Sequence, residues 1–205
     1  TDIQVVQAQN YSDRATNELQ RTSVQLAPRG EITDINGIQL ARSVAAETIV
    51  VDQTEIADPA LTASVTSPVL GIPVPELTNL LTGKLLYKKI LVDATPATWL
   101  NLQQTITDYN KNVMKEKGGI AKRIVGFFSE RSYVRDYPTG KLASSLVGFI
   151  NDSGVGAAGI ESSMNQTLNG VNGEYVYENG AGNVIPGSAK TKILAKVGTS
   201  VKLTI

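Results

Sequence analysis

Residues 57–118 carry a helical pattern while the stretches on both sides carry a strand pattern, and this segregation limits the fold more than any other feature of the chain. In the middle segment Pro59, Pro68, Pro73 and Pro75 punctuate "ADPALTASVTSPVLGIPVPEL", and Leu77, Leu80, Leu81 and Leu85 then recur at helical spacing. "TPATWLNLQQTITDYNKNVMKEKGG" follows, with Thr95 placed as N-cap, Pro96 at the first helical position and Gly118-Gly119 as the stop. Upstream, "EITDINGIQLARSVAAETIVVDQ" sets strand-forming residues on both sides of Asn36-Gly37, a hairpin signal. Downstream, strands are expected in "IAKRIVGFF" and in "GEYVYENGAGNVI", the latter turning at Asn179-Gly180, with a short helix in "GIESSMNQTLNG". "YSDRATNELQRTSVQLAPRG" reads as a short helix or extended arm followed by a strand, stopping at Pro28 and Gly30. Elements that segregate rather than alternate give an α+β fold, mostly antiparallel. The segments are then an arm (1–28), a β-rich core (29–56 and 119–205) and an inserted, mainly helical lobe (57–118).

Composition removes several classes of function. The 205 residues include 19 basic and 19 acidic side chains, whereas a duplex-binding domain carries a basic excess to displace counterions. Nucleic acid is therefore not an expected partner. Cysteine and histidine are both absent, which excludes disulfides, thiolate nucleophiles, imidazole bases and zinc sites built on either residue. No run of 18 apolar residues occurs, and the start "TDIQVVQAQN" is not a signal peptide. A threonine at the start and the strand-like "VKLTI" at the end are expected of a piece of a longer chain.

Gly154, Gly156 and Gly159 stand in G-x-G-x-x-G spacing within "NDSGVGAAGIESSMNQTL". A dinucleotide reading would use a strand near 145–150, a helix from about 159 and Glu178 for the ribose. Three points oppose it. No further strand–helix repeats follow to build the crevice, Glu161 would set a negative charge in the first helical turn against a pyrophosphate, and Asn151, Asp152 and Ser153 loosen the turn. The glycines are read as structural.

Several separated motifs instead occur in one family's order. "LAPRGEITDINGIQLA", "RDYPTG", "GAAGIE" and "GTSVKLTI" resemble, in sequence, motifs of the N-terminal non-catalytic region of class B penicillin-binding proteins, often called the dimerisation or pedestal domain. They bracket residues 29–205, and "QVVQAQNYSDRATNELQRTSVQLAP" resembles that family's juxtamembrane arm, while 57–118 matches no motif. Ile35 stands where the family usually has arginine, and Ser145 where histidine is common.

The resemblance singles out Arg29, Gly30, Asp34, Asn36, Gly37, Arg135, Tyr137, Pro138, Gly140, Gly156, Gly159 and Glu161 as structural or interdomain residues. Gly30, Gly37, Gly140 and Gly170 are expected to supply turns or helix ends. A carboxylate held by an arginine fork can tie together segments far apart in sequence, so Glu161 is expected to pair with Arg29 or Arg135. The bland alternative is a set of solvated surface charges.

Other features read as ordinary. Lys111, Lys115, Lys117, Lys122 and Arg123 form a solvated basic helix end and turn, with contact to anionic lipid or wall polymer as the minor reading. "DING" lacks the calcium-loop spacing, since Gly37 is at the fourth position. Trp99 packs in the inserted lobe.

The acyl-transfer elements of β-lactam-reactive enzymes are S-x-x-K, S-x-N and K-T-G. No serine here is followed by lysine three residues on, "KTK" at 190–192 is not K-T-G, and Ser163-Met164-Asn165 is an isolated S-x-N. The chain itself is read as non-enzymatic, with no cofactor or metal. The resemblance implies a parent that is a membrane-anchored peptidoglycan D,D-transpeptidase, outside the cytoplasmic membrane on an upstream single-pass anchor. The implied partners are its own C-terminal transpeptidase domain, a SEDS-family glycan polymerase and other division or elongation proteins; a homodimer is a further arrangement it raises. The competing readings are an extracellular adhesive or carbohydrate-binding module and the discounted nucleotide-binding enzyme.

Overall fold

A computed structural model describes residues 20–116, 122–140, 145–180, 183–184 and 190–204. In chain order the elements are β1 (Gln20–Gln25), β2 (Ile32–Thr33), β3 (Gln39–Val51), α1 (Pro59–Leu70), α2 (Val74–Leu81), β4 (Lys88–Ala94), α3 (Pro96–Val113) and β5 (Phe127–Asp136). There follow α4 (Gly159–Ser163), α5 (Asn165–Leu168), β6 (Gly173–Gly180), β7 (Asn183–Val184), β8 (Lys190–Ile193) and β9 (Val201–Lys202). Helices and mostly antiparallel strands make the fold α+β, as the sequence pattern indicates. Among the described residues no helix is long and apolar enough to cross a membrane.

The chain divides into two compact units, one of Thr1–Ser43 with Arg135–Ile205 and one of Val44–Val134. The helical insertion expected over 57–118 falls inside the second unit, whose limits lie within β3 and β5. The reason is visible in β3: Ala46 to Val51 are all buried, so this half of the strand belongs to the core of the helical lobe.

In the second unit, local chemistry sets each helix end. Asp58 caps α1 by accepting from the Leu61 amide at 3.0 Å, with Pro59 at the first turn and Gly71 closing the helix at φ +68°. Thr95 accepts from the Thr98 amide at 3.1 Å ahead of Pro96, so α3 starts where its sequence says. It ends at Val113, ahead of the expected stop at Gly118-Gly119, which lies outside the described residues. Leu77, Leu81 and Leu102 are fully buried and meet Ile49, Val51, Ala63, Leu70 and Ile90 in one apolar core, with Trp99 packed against it. Leu85 does not join them and is 56% exposed. The buried Gln53 amide is the cause: it donates to the carbonyls of Leu80 (2.8 Å) and Thr82 (3.2 Å) and accepts from the Leu85 amide, ending α2 before Leu85.

The strand expected in "IAKRIVGFF" also starts later than its sequence suggests. Ile124 spends both backbone groups on the Asn110 side chain of α3, at 2.9 and 2.8 Å, and Gly126 turns at φ +83°, so β5 begins at Phe127.

In the first unit, β2 pairs antiparallel with the start of β3 and parallel with β9, in register Ile32↔Val201 and Thr33↔Lys202. The Asn36-Gly37 hairpin forms between β2 and β3, with Gly37 at φ +86°. In the other sheet β6 pairs with β1 on one side and with β7 and β8 on the other. Here the turn falls elsewhere than expected. Asn179 and Gly180 are ladder residues opposite Val184 and Asn183. Residues 1–19 lie outside the described residues; from Gln20 the extended arm is a strand. Among the described residues its core holds Ile32, Leu40, Ala41, Val147 and Leu168, with Tyr137, Ile160 and Val201 against them.

Candidate functional site

Arg29, Arg135 and Glu161 meet in the first unit. The Glu161 side chain is 0% exposed; one carboxylate oxygen accepts from Arg29 Nε at 2.6 Å and the other from Arg135 Nε at 2.8 Å. The sequence left a choice between the two arginines, and the fold uses both. Arg29 Nη2 also donates to the Glu161 backbone carbonyl at 2.7 Å, so it grips α4 as well as the carboxylate. Its Nη1 donates to Asn165 Oδ1 at 2.9 Å and to Asn169 Oδ1. Arg135 Nη1 points to the Arg29 carbonyl and to Ser43 Oγ, at 3.4 and 3.3 Å. Ser43 Oγ in turn donates to the Arg29 carbonyl and accepts from the Arg29 amide. Segments around 29, 43, 135 and 161–169 are thereby tied at one point.

Buried charges persist only when paired and hydrogen-bonded; both arginines are paired through the one carboxylate, with Arg135 Nη2 left without a partner among the described residues. With two guanidiniums against one carboxylate, removing Glu161 would strand two buried cations. Such a loss costs about 3–5 kcal/mol. The solvated-charge alternative is thus overturned by burial: Arg29 and Arg135 are as enclosed as core residues.

The glycine run serves this cluster. The apolar stretch before it is not a strand in the described part: Ser145–Val147 are helical, and Ile150 makes only an isolated bridge to Gly156. The dinucleotide geometry is therefore absent, and Glu178 lies in β6 opposite Gln20. A side chain at Gly156 would collide with the Glu161 carbonyl, and its amide donates to Asn165 Oδ1 at 2.9 Å. Gly159, at φ +59°, has the Leu146 carbonyl and Gly148 amide where a Cβ would stand. Close backbone approach, not phosphate binding, calls for glycine here. Gly154, at φ +76°, is a turn residue with open space around it.

The other residues singled out from sequence divide in two. Gly30 lies beside the cluster, its amide donating to the Leu168 carbonyl at 2.8 Å, and a Cβ there would strike the Thr199 backbone. Gly30 is therefore a close-packing glycine rather than the expected turn or helix end, whereas Gly170 directly follows the α5 cap Asn169, at a helix end as expected; a Cβ on it would meet Ala27 and the Lys196 carbonyl. Tyr137 packs against the small core, and its hydroxyl is buried without a standard hydrogen bond to any described residue. Burial, and secondly the Glu161 carboxylate, raise its pKa; the Ile150 backbone and the Arg135 guanidinium pull the other way. By contrast, Asp34, Asn36, Gly37, Pro138 and Gly140 stay out of the cluster. Asp34 Oδ1 accepts from the amides of Asn36 (2.8 Å) and Ile38 (2.7 Å), so its carboxylate holds the hairpin loop. Gly140, at φ +56°, closes a turn with its amide on the Tyr137 carbonyl.

Ser43, Asn165 and Asn169 were not anticipated. Glu161, Asn165 and Asn169 do recur every fourth residue, a helical spacing that could have signalled one polar face. Ser43 left no signal, because only the fold brings it to Arg29. In the basic segment, Lys111 and Lys122 sit in exposed ion pairs with Asp108 and Glu116, at 3.7 and 3.2 Å. The Ser43 hydroxyl is engaged with the Arg29 backbone, and the chemistry of the cluster is that of a tie between segments.

A family model described as the penicillin-binding protein dimerisation domain matches residues 24–203. The chain is 30% identical over 211 residues to penicillin-binding protein PbpB of Mycobacterium tuberculosis, covering 99% of this chain and 30% of that protein. It spans about a third of the length of the curated relatives it matches. Among solved structures, a peptidoglycan synthetase from Bifidobacterium adolescentis superposes with a TM-score of 0.59 at 28% identity, over 91% of this chain and 36% of that one. A likeness of fold alone, at 19% identity and TM-score 0.59, extends to a complex between penicillin-binding protein PBP2 and MreC from Helicobacter pylori, over 91% of this chain and 36% of that one.

Proposed function

The chain belongs to the penicillin-binding protein dimerisation domain family, and from that premise we propose that it is the pedestal of a membrane-anchored peptidoglycan D,D-transpeptidase. It is the non-catalytic part of a protein of peptidoglycan synthesis. In this reading the stretch 1–28 is the juxtamembrane arm, the remainder of the first unit forms the pedestal core, and the insertion expected over 57–118 belongs to a lobe that takes in the whole second unit. An upstream anchor holds the protein at the outer face of the cytoplasmic membrane, and the transpeptidase domain follows.

The observation that carries the reading is the Arg29–Glu161–Arg135 cluster and its link to β9. Arg29 is followed directly by Gly30, whose amide binds the Leu168 carbonyl and whose α-carbon lies against the Thr199 backbone. The Val201 amide then donates to the Glu31 carbonyl at 2.8 Å, and the Leu203 amide to the Thr33 carbonyl at 2.8 Å. A rigid buried tie thus reaches β9 through backbone contacts, as holding a following domain at fixed height and orientation would require. The role is mechanical and associative: the pedestal also offers surface to a SEDS-family glycan polymerase and to other division or elongation proteins. The likeness of fold to a PBP2 seen with MreC supports a protein-docking role.

The test is covalent labelling with a fluorescent penicillin, comparing these 205 residues with the uninterrupted protein in its native membranes. The long form is expected to label and the 205-residue piece to stay dark. A long form that does not label contradicts the proposal.

A further inference from the structure

β9 runs parallel to β2, so both strands point the same way along the sheet. The ladder continues past Lys202, because the Leu203 amide donates to the Thr33 carbonyl. The last residues paired in register are Thr33 and Lys202, and the loop starts at the residue after Thr33, Asp34. The chain beyond β9 therefore emerges alongside the loop 34–38.

That loop presents two large apolar side chains to solvent, Ile35 at 53% and Ile38 at 55% exposure. It is held in one shape: Asp34 accepts from two loop amides, its own amide donates to the Ile38 carbonyl at 3.0 Å, and the Gly37 amide donates to the Asp34 carbonyl. The two isoleucines are displayed on a fixed scaffold, which lowers the ordering cost of covering them. The chain covers about a third of the relatives' length, which leaves room for a further segment to cover them.

We propose that Ile35 and Ile38 form an apolar seat for the segment of this same protein that follows residue 205. The seat packs the first elements of that segment against the pedestal. The inference rests on the proposed function only in taking the following segment to be the penicillin-reactive domain. A second loop gives an internal control. Asn151 to Val155 repeats the hydrogen bonds of Asp34 to Ile38: Asn151 Oδ1 accepts from the amides of Ser153 and Val155, and the Asn151 amide binds the Val155 carbonyl. Val155, 41% exposed, occupies the place of Ile38, but β9 does not pair with its loop.

The experiment uses the full-length protein. Ile35→Asp with Ile38→Asp, Ile35→Val with Ile38→Val, and Val155→Asp are each labelled with fluorescent penicillin and heated, and the loss of labelling capacity with temperature is followed. The Asp pair should inactivate at a midpoint about 5 °C lower, while the Val pair and Val155→Asp match the unaltered protein. An Asp pair that labels and inactivates like the unaltered protein overturns the seat, as does Val155→Asp matching the Asp pair. If the unaltered long form fails to label, the transpeptidase reading is what fails; trypsin cleavage after β9 then tests the seat, being faster in the Asp pair only if the seat exists.

Discussion

The two units of this chain are held by different forces. Among the described residues the second gathers ten buried apolar or small residues into one core, from β3, β4, three helices and, with Ile56, the connection after β3. The first has, again among the described residues, a cluster of five, Ile32, Leu40, Ala41, Val147 and Leu168, and adds a carboxylate bonded to two arginines. An apolar core loses stability in proportion to what is removed, since burial scales with area. A charged cluster does not degrade gradually, because removing one partner leaves the others buried and unpaired. The first unit should therefore fail at a single residue, and the second should weaken stepwise.

The largest expected effect breaks the first unit. Glu161→Gln leaves two enclosed guanidiniums facing a neutral acceptor and should cost about 4 kcal/mol, seen as a melting midpoint lower by about 10 °C in calorimetry. Leu102→Ala removes a fully buried side chain of the second unit and should cost about 3 kcal/mol in denaturant titration. If the two regions are independent, the double variant adds the two losses within about 0.5 kcal/mol. A shortfall larger than that would mean the contrast is not real.

Gly156→Ala sharpens the role of the glycine run. Its methyl group would collide with the Glu161 carbonyl, so the change should cost about 2 kcal/mol, whereas Gly154→Ala, with open space around it, meets only the strain of its positive φ. Equal losses at the two positions in thermal melts would remove the close-packing argument. Thr95→Ala deletes the α3 cap and should cost about 1 kcal/mol, confined to the second unit by amide exchange.

The smallest effect is on pH. Tyr137 has a folded pKa above its ordinary value of 10.0, so its contribution is fully present below about pH 10 and is lost as pH climbs toward the folded value. Melting midpoints measured from about pH 9 to 11 should fall more steeply for the natural protein than for Tyr137→Phe. Identical slopes would mean the hydroxyl is not in the buried setting described.

Local signals in this sequence were reliable where one residue decides a conformation. Thr95 with Pro96 started α3, and Asn36-Gly37 turned the hairpin, because capping and positive φ act within a few residues. The same reading failed where a distant group intervenes. Gln53 ended α2 ahead of Leu85, and Asn110 delayed β5, each by claiming backbone groups from another element. At the cluster, the spaced motifs pointed to Glu161 with an arginine. Ser43 stayed hidden, since an isolated serine reveals its partner only in three dimensions, while the four-residue spacing of Glu161, Asn165 and Asn169 marks a polar face without naming Arg29 as what it meets. Gly30 reads in sequence as a turn or helix end because sequence cannot show the Thr199 backbone lying against its α-carbon.

The most direct measurement is amide hydrogen exchange by mass spectrometry on the natural chain and on Glu161→Gln. The account predicts lost protection across 29–33, 156–168 and 198–203, the segments tied to the cluster and to β9, with 77–106 unchanged. Protection that stays at natural levels in 198–203, or falls equally in 77–106, would contradict the claim that one buried carboxylate holds the first unit and its last strand.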